Sequence, residues 1–252
     1  MLKKSFFCLV GLLAAGGVHA AERPWVDFAE FEHSGGCNAI IDDATNAAAI
    51  QAWDQEKLDR LYACAKAGPT PQGFMNGKVI FADNGGFDHF VKFATQMGIP
   101  VDKAKLKQFA ETLWKGKVFY EKDRALLNKM GADVSPLLGY DLKDQLRFPA
   151  KVYCGQSLLD GRRESIIIDY AYTDTVKIDG EKPYNDNIDW IAGGQTKTGK
   201  RGLMVRDEIR MVRPGFYLGR AYMDRVFLLN FTLSTDDPVS AADRCWPGYR
   251  SN

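Results

Sequence analysis

Residues 203–233 read LMVRDEIRMVRPGFYLGRAYMDRVFLLNFTL, and this stretch decides the fold. Its bulky apolar residues form three runs, which Arg213-Pro214-Gly215 and Asp224-Arg225 separate. Short apolar runs bounded by turn-forming residues are typical of antiparallel strands. The middle of the stretch also carries charged residues among these apolar neighbours: Arg206, Asp207, Glu208, Arg210, Arg213 and Arg220. We therefore predict one wall of a β-barrel or strongly curved sheet, with polar side chains set into it.

Alternation along these strands separates their two faces, because successive side chains of a strand point to opposite sides. In residues 203–212, one face is apolar apart from Asp207, and Asp169 and Asn230 likewise stand among apolar residues in their strands. A buried carboxylate is costly without a partner, and the arginines at 163, 206, 210, 213 and 220 are available partners. Two interpretations stay open: interstrand ion pairs that hold the barrel together, or the polar floor or rim of a ligand cavity.

The remaining sequence predicts further strands and an N-terminal helical part. Residues 42–67 have apolar side chains at helical spacing and end at Gly68-Pro69-Thr70-Pro71, which predicts a helix. Further helices are expected over residues 87–97, 101–113 and 124–130. About eight strands are predicted, enough to close a barrel whose interior is filled by side chains or holds one small ligand. They are Lys78–Ala82, Lys117–Tyr120, Phe148–Cys154, Glu164–Tyr172, Ile188–Gly193, Leu203–Val212, Phe216–Met223 and Val226–Leu233.

The first residues indicate export. Lys3 and Lys4 precede an apolar core over residues 6–15, and Val18-His19-Ala20 fits a cleavage site. We therefore expect a signal peptide over residues 1–20 and a periplasmic or secreted mature protein. Without the two lysines, 31 basic residues face 32 acidic ones, and this balance gives no basic character that would favour nucleic acid. No later apolar run is long enough for a transmembrane segment in the mature chain.

Four cysteines remain after removal of that peptide: Cys37, Cys64, Cys154 and Cys245. In an oxidising compartment, four cysteines predict two disulfides, for which three pairings exist. Closeness in the chain favours Cys37–Cys64, which leaves Cys154–Cys245 to pin the C-terminal tail to a strand. The alternative is free thiols, including a nucleophile.

Motifs for known chemistries are weak in this chain. Only His33 and His89 remain in the mature protein, and neither has metal-ligand spacing, so no metal and no cofactor are predicted. Ser157 follows Gly155 as in the first half of a nucleophile elbow, but the second glycine is missing. Acid–base chemistry therefore falls to the carboxylates and tyrosines of the strands.

Residues 113–119 read LWKGKVF and resemble a strand of a bacterial lipocalin-like family named after its Gly-x-Trp-x-Gly motif. The matching residues of this strand are Trp114, Gly116, Lys117 and Phe119, while Thr112 stands at the position of the leading glycine. Later elements of the family match at Asp169-Tyr170, Asp207, Arg210, Gly219 and residues 227–231. The resemblance covers about residues 113–233. It implies a barrel with a small-ligand cavity and no particular reaction.

These observations predict an α+β protein in which an N-terminal helical part packs on an eight-stranded antiparallel lipocalin-like β-barrel. The expected organisation is a signal peptide (1–20), a helical part that contributes one or two strands (21–135), and the barrel region (136–252). We expect the barrel to bind a small hydrophobic or amphipathic molecule, whose carboxylate or other acceptor faces Arg206, Arg210 or Arg220. The residues predicted to line this site are Trp114, Asp169, Tyr170, Arg206, Asp207, Arg210, Tyr217 and Arg220.

Two other classes of function remain open. A small-molecule enzyme would use Asp207 or Asp169 with a nearby tyrosine as acid and base. A periplasmic inhibitor or envelope component would instead bind a protein partner. We favour a binding protein over an enzyme, because an apolar strand face with a few placed charges is typical of a ligand site.

Overall fold

The computed structural model describes residues 32–82, 85–88, 91, 102–104, 107, 111–112, 114–131, 145–173, 176–180, 205–237 and 245. Within these residues, helices α1 (Gly36–Asp43) and α2 (Gln55–Cys64) precede the sheet. The strands are β1 (Gly73–Ile80), β2 (Trp114–Tyr120), β3 (Ala125–Met130), β4 (Leu146–Gln156), β5 (Glu164–Asp169), β6 (Val205–Arg213), β7 (Phe216–Met223) and β8 (Val226–Ser234). A short 3-10 helix, Tyr170–Tyr172, follows β5.

The eight strands close into one antiparallel barrel. Each strand pairs with the next one along the chain, and β1 also pairs with β8. Eight strands leave an interior that side chains can fill or that can hold one small ligand. The predicted α+β fold, with an eight-stranded antiparallel barrel and helices N-terminal to it, is confirmed.

The two ends of the barrel differ in the length of their connections. At the β2–β3 end, short connections join β2 to β3, β4 to β5, and β6 to β7. At the β1–β2 end, the connection from β1 to β2 covers residues 81–113, that from β3 to β4 covers 131–145, and that from β5 to β6 covers 170–204. The β7–β8 turn lies at this second end too. Long connections at one end of a barrel are where binding residues are most often found.

Apolar side chains fill the middle of the barrel. Five strands contribute inward-facing side chains that are fully buried, at 0% exposure: Leu126, Ala150, Ile166, Ile209 and Leu233. Burial of this kind contributes about 1.5–3 kcal/mol for each large side chain. These residues therefore close the interior on its β2–β3 side and stabilise the barrel.

The helices cover part of the outer face of the barrel. Helix α2 begins after Asp54, whose side chain accepts a hydrogen bond from the Lys57 backbone N–H at 2.7 Å. Its buried residues Leu58, Leu61 and Tyr62 recur at helical spacing and pack in one cluster with side chains of the sheet. The part of the outer face of the sheet that lies under α2 is therefore buried.

Both predicted disulfides are confirmed. Cys37 bonds to Cys64 and joins α1 to the last residue of α2. Cys154 of β4 bonds to Cys245, so the C-terminal part of the chain is held against the barrel. Disulfides are compatible with an extracellular or periplasmic protein.

The prediction of a helix over residues 124–130 was wrong, because Ala125–Met130 forms β3. Inward-facing Leu126 packs in the barrel, whereas outward-facing Leu127 is covered by Val176 and Ile178. With both faces buried, the strand has no alternation of apolar and polar residues, and its sequence does not differ from that of a short helix. Residues 21–135 consequently contribute three strands to the barrel, whereas one or two were predicted.

The single helix predicted over residues 42–67 is also interrupted. Helix α1 ends at Asp43, and α2 begins only at Gln55. Between them, the Asn46 side chain accepts hydrogen bonds from the backbone N–H groups of Ala48 and Ala49 at 2.9 and 3.0 Å. Such local side-chain bonds compete with the helical hydrogen-bond pattern, which explains the break.

Several predictions fall outside the described residues. They concern the signal peptide, the strand Ile188–Gly193, residue His89 and most of the helices over 87–97 and 101–113. Of the helices that the structure describes, none combines the length and apolar character needed to cross a membrane.

Candidate functional site

Five polar or polar-tipped side chains meet inside the barrel near its β1–β2 end, and we call them the interior polar cluster: Trp114, Lys117, Asn128, Tyr170 and Asp207. Lys117 Nζ lies 2.8 Å from Asp207 Oδ2, 2.9 Å from Asn128 Oδ1 and 2.5 Å from the Tyr170 hydroxyl. Tyr170 donates to Asp207 Oδ2 at 3.2 Å and accepts from Asn128 Nδ2 at 2.9 Å. Trp114 Nε1 donates to Asn128 Oδ1 at 3.0 Å. Three different strands and the 3-10 helix thus supply one connected network.

Burial sets the electrostatics of this cluster. Lys117 is only 2% exposed, and its Nζ lies 5.2–5.4 Å from the ring centroids of Trp114, Tyr170 and Phe231. Desolvation lowers the pKa of Lys117, while the Asp207 carboxylate opposes that shift. Desolvation and the Asp207 charge both raise the pKa of the Tyr170 hydroxyl well above its usual range. Tyr170 therefore keeps its proton at neutral pH, and Asp207 is the partner that compensates the Lys117 charge.

A β-bulge in β2 brings Trp114 and Lys117 to the same side of the sheet. Residues three apart in a regular strand point to opposite faces, but the β2–β3 register shifts between Trp114 and Gly116. Gly116 has φ +141°, and a Cβ atom there would overlap the Met75 carbonyl oxygen. At Gly77, a Cβ atom would lie 2.5 Å from the Trp114 ring. The glycine of the Trp-x-Gly-Lys segment is therefore what allows both side chains to enter the barrel.

We expect Gly116→Ala to lower the free energy of unfolding by about 2 kcal/mol, because the new Cβ meets backbone in a conformation that alanine rarely adopts. Lys115→Ala, at the exposed neighbouring position, is the control and should change that energy by less than about 0.5 kcal/mol. Urea denaturation followed by circular dichroism measures both. Equal stability of the two variants would contradict the role given to the bulge.

A second irregularity lies on the other side of Asn128. Phe148 has φ +54°, and the β3–β4 register shifts beside it. Its carbonyl oxygen accepts a hydrogen bond from Asn128 Nδ2 at 3.3 Å. A non-glycine residue in the left-handed region costs about 1–2 kcal/mol. The surrounding barrel stabilises this strained residue, whose backbone orients the Asn128 amide within the cluster.

The apolar side chains around the cluster are partly exposed. Trp114, Phe148, Val205 and Leu229 all pack against the barrel core, and each is only half-buried. The Asp207 side chain retains 7% exposure, although it points into the barrel. The fully buried middle of the barrel lies on the other side of the cluster. Partly exposed apolar surface therefore lies near Asp207 at the β1–β2 end of the described barrel.

Two other predicted site residues, Arg210 and Arg220, lie on the outer face of the barrel. They belong to a group that we call the outer polar layer, which also contains Tyr62, Asp160, Ser165 and Glu208. Arg210 is fully buried and donates to the Ser165 hydroxyl at 3.0 Å, the Tyr62 carbonyl at 2.9 Å and the Arg163 carbonyl at 3.1 Å. Arg220 forms an ion pair with Asp59 of α2 and donates to the Tyr222 hydroxyl at 2.8 Å. The contacts with Tyr62 and Asp59 join α2 to the sheet.

Arg206 and Asp169 also face outward. Arg206 pairs with Glu208 at 3.0 Å and donates to the Gln156 carbonyl, and Asp169 accepts from the Tyr153 hydroxyl at 2.6 Å. Asp169 and Arg206 follow or precede the inward-facing Ile168 and Asp207 in their strands, so their own side chains point outward. The prediction that Arg206, Arg210 or Arg220 faces a ligand beside Asp207 does not fit this placement.

Of the predicted site residues, the structure brings together Trp114, Tyr170 and Asp207. Tyr217 also points inward, but its hydroxyl donates to the Pro69 carbonyl at 2.6 Å and stands at the β2–β3 end. Sequence reasoning missed Lys117 and Asn128 as members of the site. Lys117 was visible as a charged residue one position from the motif glycine, whereas Asn128 was hidden in the predicted helix.

Over the described parts of the chain, no group of three or more His, Cys, Asp or Glu side chains is close enough to hold a metal ion.

No family model and no curated protein matches the chain. A crystal structure of a protein from Thermomonospora curvata is similar over 79% of this chain and 99% of that chain, with 14% sequence identity and a TM-score of 0.41.

Proposed function

We propose that this protein binds a small hydrophobic or amphipathic molecule inside the barrel, at its β1–β2 end. The observation that carries this proposal is the partial exposure of inward-facing apolar side chains around the interior polar cluster. Ligand sites are concave and mostly apolar, with a few placed polar groups that orient the ligand. The interior of this barrel has that composition at the end where its longest connections meet.

The buried middle of the barrel supplies the floor of the proposed site. Leu126, Ile166 and Ile209 are fully buried below the cluster, so a ligand would stop at the level of Asp207. Trp114 and Phe148 would flank it on one side, and Val205 and Leu229 on the other. A ligand of this kind gains affinity mainly from the apolar area that it removes from water.

Export belongs to the same proposal. The two disulfides favour an oxidising compartment, in which the protein would meet molecules taken up from outside or released from the envelope. Membership of the Gly-x-Trp-x-Gly family stays a prediction. The role of its glycine in bringing Trp114 and Lys117 inward supports it.

An enzyme is the weaker proposal. Lys117 and Tyr170 are the obvious acid–base groups, but their hydrogen bonds go to other members of the cluster. A general acid or base must reach the proton of a bound substrate. In the cluster, only Asp207 Oδ1 has no hydrogen bond from a described residue. A single acceptor of this kind suits the recognition of a ligand.

Native mass spectrometry of protein purified from its own compartment tests the proposal, with calorimetric titration of octan-1-ol as the second measurement. We expect a co-purified small molecule, and we expect Ala221→Leu to weaken octanol binding by about tenfold, because Leu occupies space beside Asp207 that the ligand needs. Val226→Leu is the matched control, since Val226 is exposed at the same end. A protein that is always empty and binds no apolar molecule would refute the proposal.

A further inference from the structure

The hydrogen-bond donors of the interior polar cluster all have acceptors nearby. The Lys117 ammonium has three donors, and it has three acceptors within 2.5–2.9 Å: Asn128 Oδ1, the Tyr170 hydroxyl and Asp207 Oδ2. The Trp114 N–H is used on Asn128 Oδ1. Both amide hydrogens of Asn128 are used as well, on the Tyr170 hydroxyl and on the Phe148 carbonyl. Tyr170 donates its own proton to Asp207 Oδ2. Every donor in the cluster therefore has a partner, either within the cluster or on the Phe148 backbone.

The acceptors of the cluster are used with one exception. Asn128 Oδ1 accepts from Trp114 and Lys117, and the Tyr170 oxygen accepts from Lys117 and Asn128. Asp207 Oδ2 accepts from Lys117 and Tyr170. Asp207 Oδ1 accepts no hydrogen bond from any described residue. The Asp207 side chain retains 7% exposure, so this oxygen is the acceptor of the cluster that is left for water or for a ligand.

The surroundings of this oxygen are largely apolar. Asp207 is only 5% exposed, and it shares the inner face of the sheet with Val205 and Leu229, which are half-buried. Ala221, its direct neighbour on β7, has only a methyl side chain and offers the carboxylate no side-chain hydrogen bond. Because Lys117 and Tyr170 both bond to Oδ2, the carboxylate is held with Oδ1 left free of these donors. A bound molecule can thus meet an acceptor there and no donor.

On the basis of the proposed binding function, we infer that the ligand carries a hydrogen-bond donor, as an alcohol or an ammonium group, that bonds to Asp207 Oδ1. The Lys117 charge does not attract a carboxylate ligand, because its three donors are in use and Asp207 already compensates it. A carboxylate beside Oδ1 would place two negative charges in contact. A donor on the ligand is the opposite of the acceptor that the arginines of β6 and β7 suggested.

Calorimetric titration with three ligands of equal chain length tests the inference: octan-1-ol, octylammonium and octanoate. We expect the wild-type protein to bind octan-1-ol and octylammonium at least about tenfold more tightly than octanoate, because only the first two can donate to Oδ1. Asp207→Asn should invert the order for the charged pair. Its amide oxygen stays toward the Lys117 ammonium and the Tyr170 proton, so its NH₂ group, a donor, turns toward the ligand.

Asp169→Asn is the matched control, since it makes the same change on the outer face of the barrel. It should leave the order of the three affinities unchanged. Equal affinity for all three ligands, or tighter binding of octanoate to the wild type, would overturn the inference and leave the proposed binding function standing. Binding of none of the three would overturn both. If Asp207→Asn does not fold, the order measured on the wild type decides the question.

Discussion

Lys117→Met should lower the free energy of unfolding by about 3–5 kcal/mol, because it leaves a buried carboxylate without its charge partner. The side chains of Lys117 and Asp207 are 3% and 7% exposed, so water replaces only a small part of the lost contact. The substitution also removes the donor that holds Asn128 Oδ1 and the Tyr170 hydroxyl together. Methionine has similar length and fills the same space, so the loss measures the polar contacts.

Urea denaturation of two further variants makes this measurement specific. Lys115→Met, at the exposed position two residues earlier, should change the stability by less than about 0.5 kcal/mol. In the double variant Lys117→Met with Asp207→Asn, the buried charge is gone, so the two changes should cost about 2 kcal/mol less together than the sum of the single costs. Additive costs would show that Lys117 and Asp207 do not act as a pair.

Arg210→Met should produce a loss of similar size, about 3–5 kcal/mol, on the outer face of β6, the strand that carries Asp207. Arg210 is 0% exposed and donates to one hydroxyl, two backbone carbonyls and the Asp160 carboxylate at 3.5 Å. Its guanidinium also lies 4.7 Å from the centroid of the Tyr62 ring. Methionine can fill the volume, but the Tyr62 carbonyl would lose its buried donor, and the Arg163 carbonyl would keep only the Ser157 N–H at 3.5 Å.

Arg213→Met is the matched control for this prediction. Arg213 also lies on β6 and donates to carbonyl groups near the end of α1, but its side chain is 36% exposed. Water can solvate those carbonyls after the substitution, so we expect a loss of about 1 kcal/mol. Comparable losses at both positions would contradict the view that burial makes Arg210 the central contact between the sheet and α2. Ligand binding should change in neither variant.

Strand β6 therefore serves two purposes with alternate residues. Asp207 points into the barrel and belongs to the proposed ligand site, whereas Glu208 and Arg210 point outward and bind Tyr62 of α2. Both interpretations of the charged residues in this stretch thus apply, each to one face of the strand. Substitutions of the outer residues test stability, and Asp207→Asn tests recognition.

Much of the fold was predictable from local sequence patterns. The strands of residues 203–233 were predicted almost to the residue, because Pro214-Gly215 and Asp224-Arg225 mark their turns and alternation marks their faces. The same alternation placed Asp207 on the apolar face. Both disulfides also followed from the number and spacing of cysteines. The strand β3 was not predictable, since its two buried faces remove the alternation on which the prediction depends.

The sequence by itself determined that a barrel forms, which side of each C-terminal strand is apolar, and that Asp207 interrupts the apolar side. Only the tertiary structure decided what surrounds Asp207. Lys117 and Asn128 come from strands 90 and about 80 residues earlier in the chain, and a bulge at Gly116 turns Lys117 inward. Closure of the barrel then brings the Asp207 carboxylate to the Lys117 ammonium, and it places Arg210 and Arg220 under α2. Local patterns fix which face a side chain occupies, whereas its partners depend on contacts between distant strands.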